Sequence, residues 1–140
     1  MAEFSASGLD ELMQDLAAIA EIPEDVQDEM LISMAEIVAA AQRKKARAYG
    51  VQDSGLTIRK IKPGKIKMKK GVRTIYVTPT GTRKRGEQRV RNAEIAFVNE
   101  YGTTSQKARP FVRDGNEASA AESTAAALEI YDRFLQSKNL

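Results

Sequence analysis

Leu9, Leu12, Met13, Leu16 and Ile19 recur at steps of three and four, which predicts a first helix carrying those side chains along one stripe. Ser7 is placed to cap it, with Asp10 three residues on completing a capping-box pattern. Pro23 then interrupts. Its fixed φ, with Glu24 and Asp25 set against the positive helix end, suits the first turn of a second and longer helix. Val26, Met30, Met34, Ile37, Val38 and Ala41 give that helix an apolar face. Arg43, Lys44, Lys45 and Arg47 meet the negative end of its dipole, and Gly50 is the natural stop.

From Asp53 the period changes. Leu56 to Ile61 alternates as a strand, Pro63-Gly64 reads as a turn, and Lys65 to Lys69 alternates again with Ile66 and Met68 on one face. Lys70-Gly71 is a second turn before Val72 to Thr78, where Ile75, Tyr76 and Val77 favour a strand. The simplest arrangement is a three-stranded antiparallel meander with one face over the helices and the other carrying Lys and Arg outward. Pro79 to Arg91 has turn formers and charge without apolar periodicity, which predicts a long, mobile basic loop. Ala93, Phe97 and Tyr101 recur at steps of four and support a short helix, although Ile95 and Phe97 also fit a strand. Ala121, Ala125, Leu128, Tyr131 and Leu135 mark a C-terminal helix, preceded by Asp114 and Gly115.

The whole is an α+β chain: two N-terminal helices, a small antiparallel meander with a long basic loop at 79–91, and a C-terminal helix packed on the sheet. At 140 residues it is read as a single domain spanning 1–140. It has no apolar run near the roughly 18 residues a membrane span requires, and the start MAEFSASGLDEL lacks the order of a secretion signal, so no membrane contact is expected.

Charge changes the picture more than composition does. The net +3 divides into −10 over residues 1–42, +15 over residues 43–91 and −2 over residues 92–140. Such a chain presents faces of opposite sign unless those segments fold against each other. Zero cysteines and zero histidines remove thiolate nucleophiles, disulfides, the usual general base and the commonest metal ligands. Carboxylates alone have no recognisable catalytic or metal-binding spacing, so no enzyme, cofactor or metal site is expected. Glu24, Asp25, Asp28 and Glu29 read as the acidic start of a helix.

The segment AFVNEYGTTSQKARPFVRDGNEAS, Ala96 to Ser119, resembles the signature of the gene-product-ten-like proteins of tailed bacteriophages of the siphophage type. There a hydrophobic turn leads to a carboxylate, an aromatic, Gly and Thr, followed by Ala-Arg-Pro-Phe before the last helix. Glu100, Tyr101, Gly102 and Thr103, then Ala108, Arg109, Pro110 and Phe111, occupy those positions here. Ser54, Gly55 and Leu56 match the segment that opens the strands in that family. Two departures stand out: the strands and the RKRG loop are more basic, and Asp114-Gly115-Asn116 replaces Pro-Ala after Phe111.

The resemblance implies a structural protein of the virion neck or tail top, present in the host cytoplasm during assembly, that helps the tail join the head. It implies a ring of identical copies, sixfold, touching other neck, connector and tail proteins and transiently the genomic DNA. Within the motif, Gly102 is expected to supply a positive φ, Pro110 to set the start of the last helix and Phe111 to fill the core. Arg109 is expected to pair with Glu100 across the turn. The candidate partner-contacting bases are Arg83, Lys84, Arg85, Arg89 and Arg91. The alternative is a nucleic-acid-binding protein using the same bases on phosphates, with Tyr76 the sole aromatic among them for stacking.

Overall fold

A computed structural model of the chain describes residues 13–14, 22–51 and 56–138. The fold is α+β. Its elements are α1 (Glu24–Ala48), α2 (Leu56–Arg59), β1 (Ile61–Pro63), β2 (Lys67–Lys69), β3 (Val72–Thr74), β4 (Val77–Pro79), β5 (Thr82–Arg85), β6 (Gln88–Arg91), α3 (Asn92–Tyr101) and α4 (Phe111–Ser137). The expected helix over Leu9–Ile19 lies outside the described residues, except that Met13 and Gln14 are helical.

Helix α1 starts directly after Pro23, with Glu24 and Asp25 in its first turn and Lys45 and Arg47 in its last. It runs 25 residues and pairs with the 27 residues of α4, so the two form antiparallel rods of about 37 and 40 Å. Their seam is made of small side chains. Ala35, Ala39, Gln42 and Ala46 are buried on α1, and Gly115, Ser119, Ser123 and Ala127 on α4. At Gly115 the helices nearly touch: a Cβ there would lie 2.8 Å from the Gln42 Cα. Gln42 is buried and donates to the Asn116 side-chain oxygen at 2.9 Å.

The expected apolar stripes are therefore displaced. Val26, Met30, Met34, Ile37, Val38 and Ala41 are half-buried beside the seam. On α4, Ala121, Ala125 and Leu128 are exposed, while Ile130 and Phe134 are buried in their place. The C-terminal helix lies along α1, not on a sheet, because its small residues allow two backbones to approach closely. It also starts earlier than expected, at Phe111, and takes Asp114 and Gly115 into its first turns.

The strands do not make a three-stranded meander. β1 pairs with β4 and β2 with β3, both antiparallel, so Ile61–Lys69 and Val72–Pro79 form one interrupted two-stranded ribbon. Gly64 to Ile66 faces only Ile75 and Tyr76, an extra residue that bulges the ribbon where the Gly64 N–H donates to the Tyr76 carbonyl at 2.7 Å. Pro63-Gly64 is thus no turn. Lys70-Gly71 is one: their φ values of 51° and 77° suit a two-residue hairpin closing Lys69 onto Val72. Leu56–Arg59 is a helical turn, not a strand: the neighbours Thr57 and Ile58 are both buried, as is Ile61, which breaks the alternation a strand requires. The segment expected as a basic loop is a hairpin, with β5 paired to β6 in the register Thr82↔Arg91, Arg83↔Val90, Lys84↔Arg89, Arg85↔Gln88.

The core gathers Ala39, Ala46, Val51, Ile58, Ile61, Ala96 and Phe111, with Tyr49, Val77 and Val112 against it. Phe111 is fully buried where α1, β1, α3 and the first turn of α4 meet. The outer half of the ribbon projects past this core, so Met68 and Val72 are both 62% exposed.

Candidate functional site

The connection between α3 and α4 is held by its own side chains. Gly102 follows Tyr101 with φ 75° and ψ −178°, a region open essentially to glycine alone, and its N–H donates to the Val98 carbonyl at 2.8 Å. A Cβ at Gly102 would stand 2.7 Å from the Gln106 carbonyl oxygen. The Thr103 hydroxyl accepts the N–H groups of Ser105 at 3.2 Å and Gln106 at 3.0 Å, closing the turn. The Arg109 N–H then donates to the Asn99 carbonyl at 2.6 Å, which brings the chain back to α3. Pro110 precedes the first helical residue, and Phe111 enters the core as expected.

Glu100 and Arg109 do not pair. Glu100 accepts the N–H groups of Val112 at 2.8 Å and Arg113 at 3.0 Å, satisfying free donors at the positive end of α4. A helix that begins at Phe111 leaves those donors facing the carboxylate, and this removes it from the guanidinium. Arg109 donates instead to the Gly50 carbonyl at 3.2 Å, with the Asn99 side-chain oxygen 3.5 Å away, tying the end of α1 to α3. Of the seven motif residues, Glu100, Gly102, Thr103, Arg109, Pro110 and Phe111 are taken up in building this connection. Tyr101 is 69% exposed and faces outward.

Helix α3 turns an unexpected face to solvent. It buries Asn92, Ile95, Ala96 and Asn99, and exposes Ala93, Phe97 and Tyr101. The Phe97 and Tyr101 rings lie 4.8 Å apart and tilted by 51°, a favourable aromatic geometry, with Phe97 63% exposed. The signal was present in the sequence, since residues 92, 95, 96 and 99 have helical spacing once asparagine is admitted as a buried residue. Asn99 donates to the Ile95 carbonyl at 2.9 Å and accepts from Gln106 at 3.2 Å, which is how it tolerates burial. Asn92 donates to the Thr80 carbonyl at 2.7 Å but leaves its buried side-chain oxygen without a protein partner among the described residues.

Of the basic candidates, the hairpin sets Lys84 directly opposite Arg89, and both are exposed. Arg91 is exposed and bonds Glu94 at 2.8 Å on the first turn of α3. Arg83 and Arg85 occupy the register positions opposite Val90 and Gln88. On the ribbon, Lys62, Lys65, Lys67, Lys69 and Lys70 are exposed. The Lys69 ammonium donates to the Tyr76 hydroxyl at 2.7 Å, and that bond raises its pKa above the usual lysine value. Arg73 behaves differently: it grips Asp28 through two nitrogens at 2.6 and 2.9 Å and approaches Glu24 at 3.7 Å. The ribbon is thereby fastened to the acidic start of α1 by one residue, while its lysines stay outside.

Between α1 and α4 runs a groove lined by Asp25, Asp28, Glu29, Glu36 and Glu129 around Ile32, Ala126 and Ile130, with Arg133 at one end. Arg133 reaches Glu29 at 3.3 Å. Among the described residues no three acidic side chains converge as a metal site, and no helix is long and apolar enough to cross a membrane. The arrangement leaves charged and aromatic side chains exposed on separate elements of the fold. In comparisons with known proteins, no family model, no curated protein and no solved structure matches this chain.

Proposed function

We propose that this chain is a structural virion protein of the head-tail interface of a tailed bacteriophage, a tail-completion or neck protein that assembles as a sixfold ring and helps join the tail to the capsid connector. The observation that carries the reading is the separation of exposed charge. Lys62, Lys65, Lys67, Lys69, Lys70, Lys84 and Arg89 stand on the ribbon and hairpin, and Asp25, Glu29, Glu36, Glu122 and Glu129 along α1 and α4, all exposed. One copy therefore offers two different patches of opposite sign, the requirement for head-to-tail association that closes into a ring. The motif from Glu100 to Phe111 supports the same reading, since six of its seven residues lock the connection between α3 and α4 and so fix where those patches sit. A further N-terminal helix over Leu9–Ile19 belongs to this proposal, as do neck, connector and tail proteins as partners.

Electron microscopy of the purified protein tests the ring, with closed particles expected. Tails assembled without the protein test the role: they are expected to fail to join filled heads, and normal infectious virions in its absence would end the proposal.

A second reading, a nucleic-acid-binding protein, is favoured by the exposed Lys84-Arg89 pair and the ribbon lysines, which could follow phosphates. Retention on DNA at about 50 mM salt that falls steeply with added salt supports it, and no retention there removes it.

A further inference from the structure

The α3 helix is packed inside out. Its buried face carries two asparagines and its exposed face two aromatic rings, although aromatic side chains carry the largest apolar surface available for burial, roughly 150–250 Å² each. Phe97, Tyr101 and Val98, the last 39% exposed, form one contiguous apolar strip. Basic residues flank α3 in the chain: β6 runs directly into it, carrying exposed Arg89 and an Arg91 that pairs with Glu94, and Lys107 is exposed beyond its end.

The groove between α1 and α4 has the complementary character. Ile32, 43% exposed, with half-buried Ala126 beside it, offers apolar contact, and the five lining carboxylates, of which Arg73 holds Asp28 and Arg133 holds Glu29, leave it negative. We infer that the Phe97-Tyr101 face of one copy seats in the α1-α4 groove of the next, with the β5-β6 hairpin laid against the carboxylates at its rim. This rests on the ring reading above and names the contact that builds the ring.

A second copy is the occupant that satisfies both properties at once. A nucleic-acid duplex, its bases already stacked, would meet the basic residues through its phosphates but leave the two rings and Val98 in water. An aromatic face against its own twin would cover the rings but leave the basic residues near it in the chain without an acidic surface to meet. Only the head-to-tail contact matches apolar with apolar and base with acid. Since the two patches differ, the contact is heterologous and repeats from copy to copy.

The absence of native cysteine makes the test clean. Single variants Y101C and S33C are made in chains of different mass, mixed, and oxidised mildly. Ser33 lines the groove and is half-buried, so this replacement is close to isosteric. A disulfide between the two different chains is expected, with a ladder of linked species from the Y101C/S33C double variant. A dominant Y101C homodimer, or no cross-link in a mixture in which the Y101C and S33C chains themselves remain oligomeric, overturns the inference and leaves the ring reading standing. A wild-type protein that stays monomeric at high concentration overturns both. In parallel, F97S/Y101S is expected to weaken self-association at least tenfold by analytical ultracentrifugation while circular dichroism stays at the wild-type value and the thermal midpoint, compared at concentrations where both proteins are monomeric, falls only slightly, because both rings are exposed in the single copy. Wild-type self-association of that variant, with lost binding to a connector or tail-tube protein, would assign the face to that other protein and refute the inference.

Discussion

The carboxylate of Glu100 accepts the backbone N–H of Val112 at 2.8 Å, and through its other oxygen that of Arg113 at 3.0 Å, so the end of α3 caps the start of α4. Pro110, at the N-cap position of α4, makes no side-chain cap bond of its own. Replacing Glu100 by Ala is expected to destabilise the fold by about 1–2 kcal/mol, the sum of a lost cap and a lost charge at the helix dipole. Gln, which keeps one acceptor, is expected to lose less. Urea denaturation checks this, as a lower midpoint at unchanged slope. Equal stability of the Ala variant would mean that water replaces the carboxylate at no cost.

Gly115 sits inside α4, where helix propensity alone predicts that Ala would gain roughly 0.5–1 kcal/mol. The seam predicts the opposite. A Cβ would meet the Gln42 Cα at 2.8 Å and its backbone nitrogen at 2.9 Å, atoms that move only with α1 itself. Overpacking of this kind costs about 1–3 kcal/mol, so Gly115→Ala is expected to be net destabilising. A variant that melts higher than wild type would show that the two helices separate freely.

These two residues also indicate how far the sequence could be read. Helix α1, the turn at Lys70-Gly71, the helical state of α3 and the roles of Gly102, Pro110 and Phe111 were all legible, because each depends on local backbone preference or on a large apolar side chain. The faces of the helices were not. Period-counting assigns large apolar residues to the inside, yet the buried positions of α1 and α4 are mostly Ala, Ser and Gly, with Gln42 among them and Phe111, Ile130 and Phe134 the large apolar exceptions, and α3 buries Asn92 and Asn99. The hairpin over Thr82–Arg91 was illegible for a related reason: its strands carry bases where an alternating apolar face would announce them. Glu100 was singled out correctly but given the wrong partner, since the start of α4 depends on Asp114-Gly115-Asn116 being helical, which local preference does not favour.

Tyr49 donates its hydroxyl hydrogen bond to Asp114, joining the end of α1 to the first turn of α4. That bond, followed by the Arg113 guanidinium, holds the Asp114 carboxyl below the usual value, and the same bond raises the Tyr49 phenol. A carboxyl with a depressed folded pKa contributes stability above its unfolded value of about 3.9, and that contribution is lost as pH falls through the folded one. A phenol with a raised pKa contributes below about 10, and that contribution is lost as pH rises past it. Tyr49→Phe removes the phenol's contribution and the largest single support of the carboxyl's, leaving the Arg113 pair, so the variant is expected to unfold in acid at a higher pH than wild type and to show a flatter alkaline limb. Carboxyl NMR titration of Asp114 should move upward in the variant; an unmoved titration would rule out the hydroxyl as its main support.

Lys84 and Arg89 face each other across the β5-β6 hairpin, an arrangement that weakens the single copy because like charges directly opposite repel. Reversing one of them separates folding from assembly. Lys84→Glu creates an opposite-charge pair with Arg89 and is expected to raise the stability of the isolated chain by about 0.2–1 kcal/mol. The same change places a carboxylate where the proposed neighbour already presents Glu36 and Glu129, so self-association should fall, and more so at low salt, where screening is weakest. Thermal unfolding at low concentration and sedimentation at high concentration are thus expected to move in opposite directions. If both moved together, the repulsion built into the hairpin would be a property of the fold alone, and the bases would have no acidic surface to meet.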